Sequence, residues 1–137
     1  MRALMAVCAL LAKTSWALAQ DDPHAPQGSA PVVVPSGLEV TLQEMLWDRP
    51  GGGLVYRFRF VAPAFTGDES FETQSTDLEF LCNGFAVERL AEIGPMPSRI
   101  VISIADEPSE FGVFDADVTQ VFESYSLQDG ACVWEMH

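Results

Sequence analysis

From Gly37 onward the chain alternates, with Leu38, Val40 and Leu42 falling on one side of an extended segment and Glu39, Thr41 and Gln43 on the other. A period of two marks a half-buried strand. A second run, LVYRFRFVA, repeats the pattern: Leu54, Tyr56, Phe58 and Phe60 share a face, and Arg57 and Arg59 point the opposite way. Between the runs, DRPGGG supplies one fixed φ and three glycines, so the two strands form a hairpin with a long loop. The arginines then face Glu39 and other polar groups across the hairpin and keep that face soluble, with an anion-binding pair as the alternative reading.

After the APAFTGDES loop the period changes. Phe71, Ser75, Leu78, Leu81 or Cys82, and Phe85 recur at helical spacing and give one apolar stripe. Asp68, Glu69 and Glu72 gather at its start, where the helix dipole favours anions, and Asn83-Gly84 offers a left-handed stop. Residues 85–93 add a short helical piece before Gly94, Pro95 and Pro97 end it. RIVISIAD is apolar on both faces, as expected of a central strand. TQVFESYSL and ACVWEM follow as two more strands joined by a tight turn at Asp129-Gly130, with Cys132, Trp134 and Met136 on one face. The expected order is β-β-α-β-β-β. That is an α+β domain over residues 37–137, an antiparallel or mixed sheet with one main helix packed on one face.

Upstream of this domain the pattern is different. Residues 1–19 carry Arg2, an apolar run and Ala17-Leu18-Ala19, the form of a cleaved secretory signal; Lys13 interrupts a stretch already short for a membrane span. Residues 20–36 hold four prolines without periodicity and read as a disordered, Pro-rich leader, with His24 solvated inside it. The expected destination is periplasmic or secreted, with no membrane attachment after cleavage. Composition narrows the partners. Without the signal, five arginines and no lysine stand against 20 acidic residues, a formal charge of −15. Such a field repels phosphate backbones and anionic lipids, which excludes nucleic acid. It serves solubility, or docking to an unknown cationic protein partner. Schiff-base chemistry has no lysine to use.

Export places the thiols in an oxidising compartment. Cys8 leaves with the signal, so Cys82 and Cys132 remain, and one disulfide between them is the economical pairing. A C-x-x-C redox motif is absent, a zinc site would need His24 and His137, and no histidine between residues 25 and 136 is placed to activate a nucleophile. Free thiols, intermolecular pairing and a metal remain the alternatives. Serine hydrolysis lacks a proton acceptor for the same reason. The stretch EFGVFDADVTQVFE brings Asp115, Asp117 and Glu123 within reach of a Ca²⁺ reading, and together with Asp106 and Glu107 of a carboxylate hydrolase. It lacks the twelve-residue calcium loop, so these are weak metal candidates and neither metal nor cofactor is expected. The triplet Gly51-Gly52-Gly53 is a turn rather than a phosphate cradle. Trp47, Phe111, Phe114 and Tyr125 read as core or loop anchors rather than a ligand cage.

In LCNGFAVERLAEIG, PSRIVISIADEPSEFG and TQVFESYSLQDGACVWEMH the chain resembles a family of small exported Gram-negative bacterial proteins classed only as a domain of unknown function. The resemblance spans residues 37–137 and includes both cysteines, which agrees with the bridge; it implies no activity for any residue. Proteins of this kind are sometimes labelled acetolactate synthase. The sequence does not support that label, since the thiamine-diphosphate motifs of the catalytic chain are absent. The leading expectation is a non-catalytic binding or accessory module, with the hydrolase and the calcium-stabilised module as rivals.

Overall fold

The computed structural model describes residues 30–136. The expected signal, His24 and His137 lie outside them. Six strands form a single mixed sheet in chain order: β1 (Val32–Val33), β2 (Glu39–Asp48), β3 (Val55–Val61), β4 (Arg99–Ala105), β5 (Gln120–Gln128) and β6 (Ala131–Trp134). Neighbours pair antiparallel except β3 and β4, which run parallel. A parallel pair needs a crossover, and the helical segment supplies it. That segment comprises α1 (Phe71–Leu81), a wide π turn (Cys82–Ala86) and α2 (Val87–Ile93).

The period-two reading places the core correctly. Tyr56, Phe58 and Phe60 of β3, Ile100, Ile102 and Ile104 of β4, and Tyr125 of β5 are buried on the face that the helix covers. Burying seven such side chains contributes about 1.5–3 kcal/mol each. Strand β2 adds Val40, Leu42 and then Met45, because the register passes from Leu42 opposite Phe60 to Glu44 opposite Arg59. The skipped Gln43 is a β-bulge, which shifts the core-facing phase by one residue.

Three expectations change. First, the leader is not irregular to its end: Val32 and Val33 pair with Val40 and Glu39, and Val34 is buried in the core. The backbone N–H of Ser36 donates to Asp77 Oδ1 at 2.9 Å, which fastens this segment to α1. Second, Asn83-Gly84 does not stop the helix. The Asn83 side chain instead accepts from the backbone N–H of Cys132 at 2.9 Å, and the Val87 N–H reaches back to the Cys82 carbonyl in the π turn. Continuing is favourable because Phe85, Ala86 and Leu90 all bury against the sheet; Phe85 stands edge-on to Phe60, ring centres 5.1 Å apart. The helix ends at Gly94, φ 146°, followed by Pro95. Third, Phe71 is not in the buried stripe, being 63% exposed.

The predicted start of the helix is present, with Ser70 as N-cap accepting from Thr73 N–H at 3.2 Å and Glu72 in the first turn. The turn between β5 and β6 is also as read, both Asp129 and Gly130 having positive φ. Cys82 and Cys132 are bonded to each other, Cα atoms 6.2 Å apart, joining the middle of the helical segment to the last strand. No helix among the described residues is long and apolar enough to cross a membrane.

Candidate functional site

One face of the sheet carries the helix. Its other face carries Arg57 and Arg59 of β3, Val101 and Ser103 of β4, and Phe122 of β5, which the register sets side by side. Residues 106–119 fold back over this face and leave a groove of about 300 Å³ between themselves and the strands.

Ser109 holds the loop in place. Its carbonyl accepts from Gln43 Nε2 at 2.8 Å and from Arg59 Nη1 at 3.0 Å, and its hydroxyl accepts from Arg59 Nη2 at 2.9 Å. The bulge is what frees the Gln43 side chain for this contact. Farther along, Asp106 Oδ1 accepts from Thr119 N–H at 2.9 Å and closes the base of the loop.

The arginines do not face Glu39, which pairs with Val33 instead. Arg59 is ion-paired with Glu44, one strand over, and Arg57 Nε donates to Asp48 Oδ1 at 3.1 Å. Both guanidinium groups also lie against the Phe111 ring, 5.2 and 5.7 Å from its centre. Arg59 is buried, so its pairing with Glu44 is needed to offset the cost of removing a cation from water. The result is a floor whose charges are satisfied internally, and the anion-binding reading of the pair loses its basis.

The walls are different. Phe114 is 90% exposed, Phe122 65% and Val113 57%, and Phe111 is partly open. Of the aromatic residues read as anchors, Tyr125 is core and Phe111 is a loop anchor, whereas Phe114 and Trp47 project outward. Glu110 lines the groove, and Glu107, Asp115 and Asp117 follow the same loop. The site thus has apolar walls over a floor of paired arginines, beneath a loop rich in acids.

The carboxylates considered for chemistry are not gathered. Asp115 Oδ1 accepts from Asp117 N–H at 3.0 Å, a local turn interaction. Glu123 lies opposite Ile102, on the helix-covered side, and its Oε2 accepts from Trp134 Nε1. Asp106 is occupied with Thr119. Among the described residues no three His, Cys, Asp or Glu side chains come together to hold a metal ion.

Sequence reasoning missed the groove because its lid is a loop. Nothing periodic in residues 106–119 indicates which face they cover; the available signal was the close group Phe111, Val113 and Phe114 in a connection that carries five acids.

Comparison with curated proteins and with solved structures finds no match. A family model described as "Family of unknown function (DUF6497)" matches residues 9–137, nearly the whole chain, and the protein belongs to that family.

Proposed function

We propose that the protein is a non-catalytic binding module, exported to the periplasm or beyond, that receives an apolar segment of a protein partner in the groove beneath residues 106–119. The observation that carries this reading is the cluster of Phe111, Val113, Phe114 and Phe122, all exposed around one concavity whose arginine floor is already neutralised. Contiguous exposed apolar surface rimmed by polar groups is characteristic of interaction sites, and aromatic anchors dominate their energetics. The acid-rich loop and the formal chain charge of −13 favour a partner whose apolar residues are flanked by basic ones. Export is supported by the Cys82–Cys132 bridge, which persists in oxidising compartments.

A photo-crosslinking side chain at position 114, used in the producing cell, tests the site. The expected result is a discrete adduct with one protein, lost in a Phe122→Ser background and absent when the crosslinker replaces exposed Glu92 on α2. Equal labelling from positions 114 and 92 rules the groove out.

A further inference from the structure

A second concavity lies on the other side of the sheet, between α1 and the β5–β6 hairpin. It has a volume of about 150 Å³ and is lined by Phe71, Ser75, Glu79, Glu123, Tyr125 and Trp134. That is well below the roughly 300–1,000 Å³ of sites that enclose a whole small molecule, so it suits one headgroup or one side chain.

Its composition defines the headgroup. The exposed rings of Phe71 and Trp134 meet at 56° with centres 5.9 Å apart, forming two adjoining aromatic walls. Glu79 and Glu123 supply negative charge, and no arginine lines the hollow. Glu123 Oε2 accepts from Trp134 Nε1, which fixes the indole and leaves the other carboxylate oxygen to the hollow. Tyr125 is only 2% exposed and lines the hollow, and its hydroxyl takes no part in the hydrogen bonds of the described residues. Burial, joined by the charges of Glu123 and Glu79, pushes that phenol well above its ordinary range, so it stays neutral and able to accept through its oxygen.

We propose that this hollow binds a primary ammonium group at the end of an alkyl chain, a lysine side chain of a partner protein, with Glu79, Glu123 and the Tyr125 hydroxyl accepting its three N–H bonds and Phe71 and Trp134 flanking the methylenes. An ammonium has three donors and a flexible apolar stem, which matches three acceptors beside an aromatic corner. Cations are attracted to ring faces, Trp above all. Residues 14–137 contain no lysine, so the group comes from outside this part of the chain. The site is separate from the groove, and each stands without the other.

The test is titration of the full chain with Nα-acetyl-lysine methylamide, followed through the Trp134 indole N–H resonance. Saturable movement is expected at millimolar concentration, the range for a single side chain. Sodium chloride at equal ionic strength and the Nζ-acetylated probe should each leave the resonance in place. Glu79→Gln, on an exposed helix position, should weaken binding at least fivefold without altering the melting temperature. Failure to saturate, an equal response to the uncharged probe, or unchanged affinity in Glu79→Gln overturns the proposal. Tighter binding of the corresponding arginine probe overturns the assignment to ammonium.

Discussion

Asp77 shows how much one side chain decides here. It is 2% exposed, and its carboxylate accepts from the backbone N–H of Ser36, so it couples the short β1 segment to α1. Asp77→Ala leaves that N–H without its acceptor, and a loss of about 1–3 kcal/mol is expected. Urea denaturation measures it, and proteolysis near residue 36 should become faster. Gly67 is the second such position. It has φ 81°, and an added Cβ would stand 2.6 Å from Thr119 Cγ2. Gly67→Ala therefore combines backbone strain with a clash against the base of the 106–119 loop, for an expected cost of about 1–3 kcal/mol. Adding Thr119→Ser should recover the steric share and leave the backbone share, a comparison readable in paired thermal melts.

Elements here owe their positions to contacts that alternation does not encode. Residues 106–119 rest on the sheet through Ser109, and Ser109 is held by Gln43 and by the fork of Arg59. Arg59→Lys retains the charge but not the planar fork, so it cannot serve Glu44 and Ser109 together. Amide exchange across residues 107–117 is expected to quicken at least tenfold while the amides of β3 and β4 keep their protection. The strands themselves were legible, because Tyr56, Phe58 and Phe60 alternate with arginines and Ile100, Ile102 and Ile104 recur in register. Less legible was the helix: Asn83-Gly84 has the local chemistry of a stop, but burial of Phe85 and Leu90 outweighs it. Strand β1 was hidden for a related reason, since Val32 and Val33 sit among prolines and acquire strand geometry only by pairing with β2. The groove was the least legible feature, because the face covered by a loop is set by tertiary contacts from residues 43 and 59.

At the scale of the molecule, two antiparallel groups, β1–β3 and β4–β6, meet at the parallel β3–β4 pair, and the helical segment spans them. The Cys82–Cys132 bridge ties that segment to the far group across a sequence separation of 50. In the loop-closure account this contributes roughly 4 kcal/mol by limiting the unfolded chain. Reduction, or the double change Cys82→Ala with Cys132→Ala, should lower the urea midpoint and steepen the transition, because the unfolded chain without the bond is less compact and exposes more surface. The same bond has a further consequence for the exposed 106–119 loop, which lies between the two cysteines in the chain. A protease that nicks this loop opens a covalent ring without releasing either piece. Such a cut molecule migrates as two fragments only after reduction, and its aromatic lid acquires two new chain ends while the sheet beneath stays whole.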